Sequence, residues 1–242
     1  MKTALKTWAA TCALVLAGNA GAVGVSGQGT WETTLQPRDL DGDTVTDAFY
    51  DAELNITWLR NANVNGQMAW ADANAWAANL VVGAYSDWRL PTMIDTGAPG
   101  CDFSLAGGTD CGYNMQTKTG TTVFSEMAHL YYVTLGNKAY YAPGTGALQP
   151  GGGLTNTGDF QVTQALEYWS GLEYAPIPGN AWRFSNRGGG QDYYPKDTDT
   201  RLYALAVRPG DVTAAVPEPE SAALLLIGLG ALALARRRRA AA

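Results

Sequence analysis

The chain has 242 residues, with 16 Lys+Arg against 22 Asp+Glu, a formal net charge of −6, 46% hydrophobic and 16% charged residues. It can bury a core, which excludes global disorder, and it lacks the Leu/Ala/Glu/Lys excess of a coiled coil or helical bundle. Between Val23 and Glu220 stand 10 basic and 22 acidic residues, a net −12; phosphate backbones repel such a body, which argues against nucleic acid and favours cations or neutral glycans.

In chain order, residues 1–22 read as a signal peptide. Lys2 and Lys6 form the charged start, residues 8–17 are mostly apolar, and Ala20-Gly21-Ala22 offers small residues for cleavage. The structural alternative is a buried N-terminal helix. Cys12, after Thr11, is expected to leave with the signal.

Residues 23–49 carry an extended segment at 30–35 and an acidic turn. Asp39, Asp41, Asp43 and Asp47 supply closely spaced carboxylates, the oxygen ligands a hard cation such as Ca²⁺ takes in sets of about 6–8. The loop is not an EF-hand: Thr44 stands where that loop needs Gly, and Tyr50 where it needs Glu. The other reading is an acidic turn bent at Asp41-Gly42 ahead of a strand over 48–51. If Ca²⁺ binds, a melting scan shifts upward relative to the same scan with chelator.

Residues 54–58 alternate apolar with polar and predict a strand. Residues 68–80 predict a helix, with Trp70, Ala73, Ala77 and Leu80 on one face and Gly83 as a stop. In Trp88-Arg89-Leu90-Pro91-Thr92, Trp88 and Leu90 offer bulk for a core and Pro91 forces Leu90 extended. Arg89 can reach carbonyls or a carboxylate with its planar fork. Cys101 and Cys111 are the cysteines left after processing, and an exported chain permits a disulfide between them, worth roughly 2–3 kcal/mol. A reactive thiol pair is the alternative; a metal site lacks a nearby His.

A second helix is expected over 125–135, with Met127, Leu130, Tyr131 and Thr134 on one face and Gly136 closing it. His129, the single histidine, lies on that helix beside apolar positions. It reads as a packing residue before a catalytic one. No Gly-x-Ser-x-Gly elbow, phosphate loop or His/Cys metal cluster is present, so a noncatalytic role leads. Paired carboxylates of a hydrolase remain the enzyme alternative. Residues 143–159 are Gly/Thr/Asn-rich and predict a surface loop. Further strands are expected at 140–141, 165–169, 181–185 and 202–207, with turns at Asn65-Gly66 and Arg187-Gly188-Gly189-Gly190. Trp169, Tyr174, Trp182, Arg183 and Asn186, near that glycine run, are glycan-binding candidates. Exposed rings stack on sugars and polar groups satisfy hydroxyls. The same residues serve equally well as core.

Several of these motifs occur in the order of a known domain: Leu54-Asn55-Ile56-Thr57-Trp58-Leu59-Arg60, Ala69-Trp70-Ala71-Asp72-Ala73, Tyr85 through Thr92, Tyr168-Trp169-Ser170-Gly171, Ala181-Trp182-Arg183-Phe184 and Ala206-Val207-Arg208-Pro209. This order resembles the DUF1566 domain, also called the Lcl C-terminal domain after a collagen-like adhesin, over residues 50–211. The resemblance implies an α+β fold of the C-type-lectin-like or formylglycine-generating-enzyme-like kind: two helices, short antiparallel strands and long loops. The catalytic cysteine pair of the latter and the Glu-Pro-Asn, Gln-Pro-Asp or Trp-Asn-Asp triplets of calcium lectins have no counterpart here, so fold kinship carries neither activity.

Residues 212–242 form the tail. Val216-Pro217-Glu218-Pro219 precedes an apolar run at 222–235 and the basic end Arg236–Arg239. Fourteen residues span about 21 Å as a helix, against the roughly 20 residues of a comfortable membrane span. The arginines would hold the far end in the cytoplasm. The tail resembles a PEP-CTERM sorting signal, with Pro217, Glu218 and Pro219 as its motif. That resemblance implies processing by an exosortase, passage through the inner membrane of a Gram-negative bacterium, and delivery to the cell surface or extracellular matrix. The chain is therefore expected to be an exported adhesion or exopolysaccharide-associated protein. A secreted hydrolase of matrix polysaccharide and a purely structural surface protein are the alternatives.

Overall fold

A computed structural model describes residues 24–98, 110–161, 163 and 165–212. Residues 1–22, expected to be a signal peptide, Cys101 and the sorting tail lie outside the described residues. Two antiparallel sheets, a small hairpin and few helices make a mixed, mostly β architecture.

The chain enters through a single helical turn, α1 (Trp31–Thr34), and passes directly into strand β1 (Leu35–Arg38). The extended segment expected at 30–35 is thus displaced by four residues. The Thr33 and Thr34 amides both donate to the Thr30 carbonyl, and the Thr34 hydroxyl donates to it as well, which closes the turn. Pro37 obscures the strand because it cannot donate to a ladder; β1 is an edge strand, where proline is tolerated.

Strand β2 (Ala48–Asp51) falls where it is expected, after the acidic turn. Strand β3 (Ile56–Leu59) starts two residues later than expected, because Asn55 turns through φ +53°. All four β3 residues are buried, so the expected two-faced pattern does not hold. β3 is an inner strand: the sheet runs β1-β2-β3-β9, with β9 (Val207–Pro209) as its other edge. Phe49 stands opposite Trp58, and Trp58 opposite Val207.

Helix α2 (Trp70–Asn79) sits inside the expected span. Ala73 and Ala77, one turn apart, are fully buried and pack with Leu90, Trp169, Ala181 and Leu202. Small side chains let the helix approach the sheet closely, and the Trp70 indole donates to the Ser170 carbonyl at 2.9 Å. The helix ends at extended Leu80 rather than at Gly83, which belongs to the next turn. Strands β4 (Lys118–Thr119) and β5 (Thr122–Val123) form a small hairpin.

Helix α3 (Glu126–His129) is capped by Ser125, whose hydroxyl accepts from the Ala128 amide at 3.2 Å. It continues as a π-helical turn, Leu130–Thr134. Such widened turns recur at functional places. Gly136 then closes the helix at φ +64°, in the left-handed region that favours glycine.

The second sheet is β6-β7-β8, from β6 (Glu167–Glu173), β7 (Asn180–Ser185) and β8 (Gln191–Pro195). A register shift interrupts the β6–β7 pairing between Trp169 and Glu173. Residues 140–141 and 202–206 make isolated bridges and loop contacts instead of the expected strands. The 143–159 segment is on the surface only in its first part. Asn156 and Thr157 are buried, and Asn156 ties three segments together: its amide donates to the Leu135 and Gln28 carbonyls and its carbonyl accepts from the Val25 amide.

Candidate functional site

A cleft of about 210 Å³ opens on the β6-β7-β8 sheet. Tyr113, Tyr140, Glu167, Arg183, Arg187 and Asp192 are its principal side chains, with Gln191 and the glycine run at its edge.

The glycines explain how the tyrosines reach it. A Cβ on Gly188 would fall 2.8 Å from the Tyr140 ring, one on Gly189 2.5 Å from the Tyr132 hydroxyl, and one on Gly190 3.2 Å from the Tyr113 ring. Three consecutive residues without side chains thus seat three aromatic rings. The π-helical turn places Tyr131 and Tyr132 side by side against Phe184 beneath the run. The Tyr132 hydroxyl donates to the Gly189 carbonyl at 2.6 Å. A Gly189→Ala variant is expected to lose roughly 2–4 kcal/mol, since φ there is +76° and the new methyl meets a packed tyrosine. Chemical denaturation measures it.

Charge in the cleft is balanced. Arg183 is buried between two carboxylates, forming ion pairs with Glu167 and Asp192. Its Nη2 donates to Asp192 Oδ2 at 2.7 Å, and Glu167 also accepts from the Ser185 hydroxyl at 3.0 Å. The other face of the guanidinium lies 4.3 Å from the Tyr194 ring centroid. Gln191 anchors the floor: its Oε1 accepts from the Ser125 hydroxyl, and its Nε2 donates to the Asp110 carbonyl. Backbone bonds in both directions between Gly112 and Gln191 tie the Tyr113 segment to β8. Cys111, beside Gly112, is buried and disulfide-bonded.

Burial pushes the Asp192 carboxyl above the ordinary aspartate range, and Arg183 offsets this in part. Burial likewise raises Asp51, whose hydrogen bonds from Leu54, Trp58 and Glu53 pull the other way. Arg208 holds Asp87 below the usual range, and Arg38 does the same for Asp211. A carboxyl-carbon NMR titration should therefore show Asp51 and Asp192 protonating above the ordinary aspartate range as pH falls, and Asp87 and Asp211 below it. The lowered pair contributes stability above the ordinary aspartate pKa and loses it as pH falls through the folded values. The raised pair carries a penalty for ionisation that is relieved as pH falls through its folded values.

The sequence candidates divide. Arg183 lines the cleft. Trp169, Tyr174 and Trp182 are in the core, each at most 1% exposed, so their rings cannot stack on a sugar. Their polar tips are satisfied inside: the Trp169 indole donates to the Met68 carbonyl at 2.9 Å, the Trp182 indole to Asp95 at 2.9 Å, and the Tyr174 hydroxyl to the Ala98 carbonyl at 3.2 Å. Asn186 is buried outside the cleft lining. Sequence reading missed Tyr113, Tyr140, Glu167 and Asp192. The one pointer to them was the Arg187–Gly190 run, which asks what packs so close to a backbone.

The acidic turn brings oxygens of Asp39, Asp41 and Asp43 within 4.8 Å of one another. Asp39 accepts from the Gly42 and Thr44 amides, Asp41 from Asp43, and Asp43 from Val45. Asp47 is engaged elsewhere, accepting from the Leu40 amide at 2.8 Å. Burial raises the Asp47 carboxyl, and the three neighbouring aspartates add to this. These bonds close the turn by themselves; Asp39, Asp41 and Asp43 are the residues that could hold a cation.

His129 is buried, with Nε2 2.9 Å from Glu53 Oε2, and does not line the cleft. Arg89 reaches both kinds of partner expected of it: its fork grips Glu126 at 2.8 and 2.7 Å, and it donates to the Leu90 carbonyl. Among the described residues no helix is long and apolar enough to cross a membrane.

Comparison with curated proteins and with solved structures gives no match. Comparison with family models matches the tail, over residues 215–239, to the PEP-CTERM protein-sorting motif. The chain thus carries a PEP-CTERM sorting signal, the mark of an exported surface protein that is processed by an exosortase.

Proposed function

We propose that the body is a noncatalytic glycan-associating domain, and that its ligand is a neutral, hydroxyl-rich polysaccharide of the cell surface or extracellular matrix. The observation that carries this reading is Arg183 shared between Glu167 and Asp192 in a tyrosine-lined cleft. Two carboxylates and two guanidinium groups, Arg183 and Arg187, leave the cleft without net charge. Their remaining lone pairs and donors suit sugar hydroxyls, and Tyr113 and Tyr140 offer ring surface.

The rest of the notional architecture belongs to the same proposal. Residues 1–22 are removed as a signal peptide, 50–211 form a DUF1566-like domain with a lectin-like fold, and 222–235 hold the membrane until an exosortase acts. Cys101 is the proposed partner of Cys111. Support comes from the motif order, from Trp88 and Leu90 being buried as packing residues, and from the acidic body that suits neutral or cation-bridged glycans.

The hydrolase reading has one observation in its favour: a buried carboxyl of raised pKa, Asp192, beside a second carboxylate, Glu167. Glycoside hydrolysis uses such a pair. The shared arginine opposes it, because it binds both groups as ions.

Incubating the chain with its host's exopolysaccharide separates the two. Retention without shortened chains is expected, and Tyr113→Ala should weaken it by about tenfold, the loss of one aromatic anchor. Release of short products, abolished by Asp192→Asn, would establish the hydrolase. Neither retention nor products would leave a structural surface protein.

A further inference from the structure

A second cavity, of about 270 Å³, lies at the β1 edge of the four-stranded sheet, away from the cleft lining. Its walls are Trp31, Leu35, Pro37 and Phe49, and its polar groups are Glu32 and Asp159. The side chains of this wall leave no free donor, and strand β1 adds none at Leu35 or Pro37. The Trp31 indole donates to the Val25 carbonyl at 3.2 Å, the Leu35 amide to the Trp31 carbonyl, and Pro37 has no N–H.

The side chains of the cavity therefore present acceptors only, on aromatic and aliphatic walls. Glu32 accepts from the Ser26 hydroxyl at 2.9 Å and the Gly27 amide at 2.8 Å, which hold its carboxyl below the usual range and keep it ionised at neutral pH. Among the described residues nothing donates to the Asp159 carboxylate. The nearest cation, Arg60, reaches the Asp159 backbone carbonyl at 3.5 Å and spends Nη1 on the Thr46 carbonyl.

We infer that the cavity lined by Trp31, Phe49, Glu32 and Asp159 binds an organic ammonium group, a protonated amine on an apolar or sugar-ring body. A hydroxylic neutral ligand can donate to the two carboxylates but brings no opposite charge, so its hydrogen bonds are the weaker ones. An anion would meet two like charges. An ammonium pairs with both carboxylates and lies against the indole face, where cation–π attraction adds to the pairing. The volume suits one such group with a small body, just under the lower end of the range for ligand pockets. Two sources share this chemistry: an alkylamine and an amino sugar of a matrix polymer.

The test is an NMR titration following the Trp31 indole N–H in the full-length chain, held in a sugar-free non-ionic detergent. The probes are n-butylammonium and glucosamine, against n-butanol and glucose. A saturable shift with either amine and none with its neutral counterpart supports the site. The amine that binds more tightly identifies the source. Glu32→Gln and Asp159→Asn, which keep shape and remove charge, should each weaken binding by about three- to fivefold, as for an exposed ion pair. Equal shifts with the neutral probes, no shift with either amine, or unchanged affinity in both variants overturns the site. Because none of these residues lines the first cleft, that proposal stands or falls separately.

Discussion

Trp169→Ala is expected to destabilise the protein by about 3–5 kcal/mol, the range for deleting a large aromatic from a core. Trp169 is fully buried among Ala73, Ala77, Leu90, Ala181, Leu202 and Ala204. Its alanine-lined surroundings are shaped around the indole; with helix α2 held by other contacts, they cannot collapse onto a methyl group. The Met68 carbonyl also loses one of its two donors and keeps the Leu202 amide. Against a total stability of about 5–15 kcal/mol this is a large fraction. Urea denaturation should show a lower midpoint. Trp169→Phe, which keeps most of the volume and loses the N–H, should cost about 1–2 kcal/mol. If the ring faced solvent as a sugar platform, Trp169→Ala would leave stability within about 0.5 kcal/mol.

That contrast shows what a sequence can and cannot state. Aromatic residues beside a glycine-rich turn fit both a platform and a core, and period alone does not say which face of a strand is covered. In β7 no inside–outside alternation can be read because both faces are packed: Ala181 through Ser185 are all buried. Helix α2 was legible because alanines at Ala73 and Ala77 mark one stripe, and β2 because its turn signals bracket it. Strand β1 was not, since its proline hides it. The cleft was the least legible part. Tyr113, Tyr140, Glu167 and Asp192 come from four separate segments, and no local pattern joins them. Only the requirement for three glycines in a row hints that side chains from elsewhere crowd that backbone. The sorting tail was fully legible because its order of features is local and needs no fold.

Arg89→Ala should be strongly damaging for a change of a charged residue, at about 2–3 kcal/mol. Its guanidinium makes a two-pronged bond with Glu126, and Glu126 Oε2 also accepts from the Thr92 amide at 2.7 Å. The Arg89 backbone pairs with Val207 in both directions at 2.8 Å. One residue therefore links the Trp88–Thr92 segment, strand β9 and the start of helix α3. Removing the arginine leaves the Glu126 carboxylate, only 7% exposed, without its counter-charge. Breaking a buried pair costs about 3–5 kcal/mol; the value is reduced here because the arginine side chain is 36% exposed and water screens it. Arg89→Lys should recover less than half, since a point charge cannot reproduce the fork. Arg89→Leu combined with Glu126→Leu should recover most of the loss, because no charge is then stranded. Denaturation midpoints of the four proteins decide it. A double variant as unstable as Arg89→Ala would mean that the backbone pairing with Val207, rather than the ion pair, depends on the side chain.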